Sequence, residues 1–311
     1  MHGARYHGPL AIGILLLIIA FALIHAQGST VQDDLAIAAA GDIACDPADS
    51  SYNDGAGMVS ACQMKATSDL LVNAHPSAVL ALGDNQYADG ALHKYLKSYG
   101  PTWGRLKSIT HPVAGNHEYL TRNAVGYFGY FGLAAGEPTR GYYSYEIGTW
   151  HIIALNSNCE QVGGCGAGSP QELWLKADLA AHPVPCILAY WHHPRFSSGV
   201  HGDDPTYDAF WRDLYDAGVD VVLVGHDHHY ERFAPQDPSG RADPLRGVRE
   251  FVIGTGGESH YVLRIIKPNS EVRNADTFGV LVMTLHPAGY DWKFISERGR
   301  TFMDSGSARC H

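Results

Sequence analysis

Residues 219–232 read VDVVLVGHDHHYER, and this stretch decides the fold. Its first half is an apolar, β-branched run of strand length. Its second half is a polar cluster entered through Gly225 and carrying His226, Asp227, His228 and His229. A short apolar run of this kind, interrupted only by Asp220, reads as a strand buried on both faces. The same event recurs along the chain. Residues 35–40 run into Gly41-Asp42, residues 78–82 into Gly83-Asp84, residues 112–114 into Gly115-Asn116-His117-Glu118, and residues 187–190 into Trp191-His192-His193-Pro194. In α/β sheets, ligands bind beyond the carboxyl ends of strands, where loops held by a rigid scaffold converge. Repeated strand ends of this kind predict one shared polar site.

The segments between them alternate helix and strand. Residues 58–72 have helical periodicity, as do residues 207–216. Ser169-Pro170-Gln171-Glu172 is a capping box with Pro at the first helical position, which starts a helix running to about residue 181. Residues 142–147 and 151–155 read as strands around a turn at Gly148. From residue 248 onward the pattern is strand-rich, with runs at 251–253, 261–266, 278–285 and 290–295. The last two are joined as a hairpin by His286-Pro287-Ala288-Gly289. No internal repeat or composition break marks a second domain. The expectation is an α/β fold with a mixed sheet, or two packed mixed sheets, flanked by helices.

Composition narrows the function classes. The chain has 311 residues, 45% hydrophobic and 17% charged, which excludes disorder and coiled coil. Its formal charge of −10 and the lack of any basic run exclude a general nucleic-acid binder. Residues 10–24 (LAIGILLLIIAFALI) form an uncharged apolar run behind Arg5, followed by His25-Ala26-Gln27. This reads as a secretory signal peptide over residues 1–26, with the mature domain at 27–311. The competing reading is an uncleaved membrane anchor, for which the run falls short of the roughly 20 residues a span needs. Export places the chain in a secreted, periplasmic or otherwise extracytoplasmic compartment. The six cysteines can form bridges there, and Cys45 with Cys62 and Cys159 with Cys165 are the pairs the spacing suggests.

The loop starts collect Asp42, Asp84, Tyr87, Asn116, His117, His192, His193, His226, His228 and His229. Carboxylate oxygen and imidazole nitrogen suit zinc, iron or manganese. The set exceeds what one four-coordinate ion needs, and two ions sharing a carboxylate would use most of it. Such centres activate water and clamp the oxygens of an in-line displacement at phosphorus.

In order along the chain stand GDIA (41–44), GDNQY (83–87), GNHE (115–118), YWHHP (190–194) and GHDHHYER (225–232). This series resembles the calcineurin-like metallophosphoesterases and, within them, the purple acid phosphatases. The resemblance implies a single-domain, four-layer α/β/β/α sandwich. It implies a ferric ion held by Asp42, Tyr87 and His228, with Asp84 bridging to a divalent ion (Fe, Zn or Mn) held by Asn116, His192 and His226. His117 and His201 would face the phosphate as catalytic residues. Two departures stand out: Gly202 follows His201 where relatives often carry a second histidine, and GDIA replaces the common GDxG. An extra N-terminal β-sandwich, present in many plant relatives, is not expected. The implied activity is hydrolysis of small-molecule phosphate monoesters by attack of metal-bound hydroxide, as in acid phosphatases. The alternatives are a diesterase or nucleotidase using the same centre, and a non-catalytic metal- or phosphate-binding protein.

The remaining polar residues read as supports. His193 and His229 are structural or orient ligands, and Glu118 and Glu231 bond to loop backbone or to Arg232. The aromatic run Tyr127, Phe128, Tyr130 and Phe131 reads as hydrophobic cover for a long loop, with a substrate cleft as the alternative.

Overall fold

The computed structural model describes residues 1–6, 8 and 35–311, so the apolar stretch at 10–24 lies outside the described residues. The strands are β1 (Leu35–Ala40), β2 (Ala78–Leu82), β3 (Thr110–Val113), β4 (Tyr143–Ile147), β5 (Trp150–Ala154), β6 (Cys186–Tyr190) and β7 (Val221–Val224), followed by β8 (Tyr230–Phe233), β9 (Arg249–Ile253), β10 (Ser270–Asn274), β11 (Gly279–His286), β12 (Gly289–Ser296) and β13 (Ser305–Arg309). The helices are α1 (Met64–Ala74), α2 (Leu92–Lys94, continued by a π turn), α3 (Val125–Phe131), α4 (Pro170–Ala181) and α5 (Asp208–Asp216).

The strands form two mixed sheets. One has the order β13-β12-β11-β1-β2-β3 and the other β10-β8-β9-β7-β6-β5-β4. Strands β1, β2 and β3 are parallel, as are β5, β6, β7 and β9, and the meander β11–β13 is antiparallel. Alternation along the strands explains why their sequences are apolar throughout. In β6, Leu188 and Tyr190 enter the core between the sheets, while Ile187 and Ala189 face a second core. Helices α4 and α5 close that second core with Leu175, Leu179, Phe210, Trp211 and Leu214. Strand β7 repeats the division, Val221 and Leu223 inward and Val222 and Val224 outward. The expected arrangement of two packed mixed sheets flanked by helices is what forms.

Local signals behave as their chemistry dictates. Ser169 caps α4 by accepting from the Glu172 N–H at 3.3 Å, but Glu172 reaches back to the Gly168 N–H at 3.0 Å, one residue beyond a standard capping box. The helix expected from residue 58 starts only at Met64. Cys62 stands in the left-handed region with φ 60° and is bridged to Cys45, which ends any helix approaching from upstream. The strand expected at 261–266 does not form. The Arg264 N–H donates to Ser198 O at 2.7 Å and the Lys267 N–H to Ser198 Oγ at 3.0 Å, so this backbone is tied to a loop and pairs with no strand. Val262, Ile265 and Ile266 are left exposed. Three disulfides form: Cys45–Cys62, Cys159–Cys165 and Cys186–Cys310, the last joining β6 to the C-terminus. Among the described residues no helix is long and apolar enough to cross a membrane.

Candidate metal centre

Strands β1, β2, β3, β6 and β7 deliver their polar loop starts to one place. The loops are bonded to each other before any ligand is considered. The Gly41 N–H donates to Ile253 O at 2.9 Å, Asp42 N–H to Gly83 O at 3.1 Å, and Gly225 N–H to His192 O at 2.9 Å. Asp42, Asp84 and His226 hold φ of 59°, 44° and 69°, a left-handed backbone that costs non-glycine residues energy and persists only where the surroundings enforce it. Close approach also dictates composition. A Cβ at Gly115 would sit 2.1 Å from Asp84 Oδ1, and one at Gly83 would sit 2.6 Å from His192 Nδ1.

Tyr87 Oη is the hub of one half of the site. It lies 2.9 Å from Asp42 Oδ1, 3.0 Å from Asp84 Oδ2 and 3.1 Å from His228 Nε2, and His228 Nε2 lies 3.2 Å from Asp42 Oδ1. His192 is the hub of the other half. Its Nε2 lies 3.3 Å from Asp84 Oδ2 and 3.2 Å from Asn116 Oδ1. The His226 ring stands 5.0 Å from that of His192, and the His226 N–H donates to Asp42 Oδ2 at 2.8 Å. Asp84 Oδ2 thus faces both hubs, Tyr87 Oη and His192 Nε2.

This donor set fits cations. His192 Nδ1 faces the Leu82 carbonyl at 2.8 Å and must carry the ring's proton to bond there. In neutral imidazole, Nε2 then turns a lone pair toward two oxygens. One phenolic proton likewise cannot serve the three acceptor atoms around Tyr87. Without cations only protons can relieve this crowding. Burial works to lower the His192 imidazole, yet Asp84 carries it up to about 9, and Asp42 carries His228 up to about 10 against the same opposition. Burial and the carboxylates of Asp42 and Asp84 push the Tyr87 phenol well above 10. Burial and the neighbouring His192 push His226 well below 6.5, which keeps it neutral. Cations placed among these atoms would satisfy all of them at once.

His117 follows Asn116 at the rim. Its N–H donates to Asp84 Oδ1 at 2.9 Å, its Nδ1 meets Ala88 O at 2.6 Å, and its Nε2 stands 3.8 Å from Asp84 Oδ2. His201 stacks on His226 at 4.0 Å, with Nδ1 held by Asp227 Oδ1 at 2.8 Å. All nine expected site residues therefore gather in one cluster.

The supports divide as their burial requires. His193 Nδ1 is bonded to Ser157 Oγ at 2.8 Å, and His229 to Glu231 at 3.0 Å. Glu118 accepts from the N–H groups of Asn85, Gln86 and Gly115 and from Tyr95 Oη, pinning the second and third loops together. Glu231 accepts from Ser198, while Arg232 pairs with Asp304 at 2.7 Å and with Glu271. Four contributors escaped the sequence reading. Asp227 orients His201; Glu258 (3.3 Å) and Ser259 (3.1 Å) hold His228 Nδ1; and Tyr261 stacks on the His228 ring at 3.8 Å. Asp227 lies inside GHDHHYER, where its position between two histidines was the available signal. The others sit on a loop with no comparable motif.

The profile of the calcineurin-like phosphoesterases matches residues 36–230. Purple acid phosphatase 18 of Arabidopsis thaliana is 28% identical over 229 residues, covering 66% of this chain and 49% of that protein. The Fe(3+)-Zn(2+) purple acid phosphatase 12 of the same plant is 27% identical over 217 residues, covering 60% and 45% respectively. The chain thus spans about half the length of these relatives. The structure of purple acid phosphatase PPD1 from yellow lupin seeds aligns with a TM-score of 0.67 at 18% identity, covering 89% of this chain and 54% of that one, which is a likeness of fold.

Proposed function

This chain belongs to the calcineurin-like phosphoesterase family, and on that premise we propose that it hydrolyses phosphate monoesters at a centre of two cations. We assign Asp42, Tyr87 and His228 to a ferric ion, Asn116, His192 and His226 to a divalent ion, and Asp84 to both. The observation that carries this is the crowding of acceptor atoms around Tyr87 Oη and His192 Nε2, which a pair of cations resolves. Bound there, the cations supply Lewis acidity that lowers the pKa of water and offsets charge on phosphoryl oxygens. Ferric iron is assigned to the Tyr87 side because a phenol so strongly held in its neutral form yields its proton only to a highly charged ion.

The chain's own groups do the rest. His117 lies beside Asp84 with its ring edge accessible and binds a phosphoryl oxygen. Asp227 fixes His201 through Nδ1, which leaves Nε2 to serve the departing alcohol. As water oxygen bonds to phosphorus, the ester P–O bond breaks, His201 Nε2 gives its proton to the departing alkoxide, and the proton released by the attacking water restores the one His201 has given up. Three disulfides support maturation in an oxidising compartment, in keeping with a signal peptide at residues 1–26.

The test is the ratio of kcat/KM for a phosphate monoester and a diester of the same aryl alcohol. The reading expects a monoester preference. A diester preference would assign the centre to phosphodiester chemistry, and negligible turnover of both by metal-loaded protein would point to a binding protein.

A further inference from the structure

We propose, resting on the monoesterase reading above, that the substrate's alcohol is an uncharged, ring-bearing group, and that substrates carrying further phosphates are turned away. The observation is a pair of adjoining hollows, one of which is lined by Asn116 of the candidate centre. A hollow of about 380 Å³ is lined by Asn116, His193, Tyr119 and Gln161. Beyond Tyr119 and Gln161 a second hollow of about 660 Å³ continues, lined also by Phe128 and Val125. That volume suits a small organic group.

Tyr119 is built to receive a ring. It follows His117 by two residues, its N–H donates to Asn116 O at 3.2 Å, and its Oη accepts from Asn156 Nδ2 at 2.8 Å. Fixed at both ends, its face loses little freedom when another ring packs on it. Phe128, packed in the same core as Tyr127, Tyr130 and Phe131, also lines the larger hollow and adds a second aromatic wall.

Charge sets the other half of the preference. Among the described residues no charged side chain lines the larger hollow, and Glu160 and Asp204 bring carboxylates to the smaller one. No Lys or Arg among the described residues lines either. Arg140, near in sequence, is paired with Glu137 at 3.4 Å. Recognition of an additional phosphate calls for Arg or Lys donors, and here it would meet carboxylates instead.

The test compares three esters whose leaving alcohols are of similar basicity: ethyl phosphate, 2-(1-naphthyl)ethyl phosphate and ethane-1,2-diyl bisphosphate. The proposal expects kcat/KM to rise about tenfold from ethyl to naphthylethyl and to fall about tenfold from ethyl to the bisphosphate. Val125→Trp, which fills the larger hollow from an exposed position, should bring the naphthylethyl-to-ethyl ratio toward one. Glu160→Lys should raise the bisphosphate-to-ethyl ratio. Equal rates on the ethyl and naphthylethyl esters, or a preference for the bisphosphate, would overturn the proposal while leaving the monoesterase reading intact. No turnover of any of the three would overturn that reading, and this inference with it.

Discussion

Asp84 Oδ2 lies 3.3 Å from His192 Nε2 and, from the same oxygen, 3.0 Å from Tyr87 Oη. One carboxylate therefore faces an imidazole in one half of the site and a phenol in the other. Replacing an orienting neighbour of a metal ligand costs about 10–100-fold, so Asp84→Asn, which removes the shared anion itself, should lower kcat by more than about a hundredfold. Metal analysis should find less than the full complement bound. Retained activity and metal content would contradict the bridging role.

Tyr87→Phe deletes one hydroxyl from a buried ring and leaves the packing in place. If the phenolate ligates ferric iron, oxidised protein shows a broad visible absorption band, and this variant loses it while its far-UV circular dichroism is unchanged. A colourless, iron-free wild type with full activity would replace the ferric assignment by a zinc or manganese one.

Asp227→Asn keeps the shape around His201 but withdraws the carboxylate that holds Nδ1. The expected result is a fall in kcat of about 10–100-fold, with bound metal unchanged, because His201 orients on Asp227 and the cations do not. An unaltered kcat would remove His201 from the proton transfer.

Away from the centre, buried His151 is bonded at Nδ1 to Glu146 (2.8 Å) and at Nε2 to Asp178 (2.7 Å). Burial opposes its charge, but the two carboxylates raise its pKa above 6.5, and the Asp178 pKa is lowered below 3.8. A raised histidine stabilises the fold fully below its unfolded pKa and loses that contribution as pH rises through the folded value. A lowered carboxylate contributes above its unfolded pKa and loses it as pH falls. The cluster is therefore most stabilising between about pH 4 and 6.5. His151→Gln should lower Tm by several degrees at pH 5.5, corresponding to about 1.5–3 kcal/mol for bonds to a charged group. The gap should narrow at pH 9, and a gap that is constant with pH would contradict a charged His151.

Legibility in the sequence followed burial. Strands β1, β2, β6 and β7 are buried on both faces, so their side chains are apolar at every position and announce themselves. Edge strand β13, Ser305–Arg309, alternates exposed and partly exposed residues and carries no such signal. The run at 261–266 carries the signal without the strand, because side-chain pattern cannot report that Ser198 takes its backbone bonds. The site was legible where a polar cluster directly follows a buried strand, through glycine at Asp42, Asp84, Asn116 and His226 and through Trp191 at His192. Glu258, Ser259 and Tyr261 reach His228 from a loop without a motif, and only the three-dimensional arrangement brings them there.

The most direct measurement is turnover of an aryl phosphate as metal is titrated back into chelated protein, plotted against ions bound per chain. Activity should climb to a plateau at two ions. A plateau reached at one ion, or turnover indifferent to metal, would contradict a paired centre on Asp42, Asp84, Tyr87, Asn116, His192, His226 and His228.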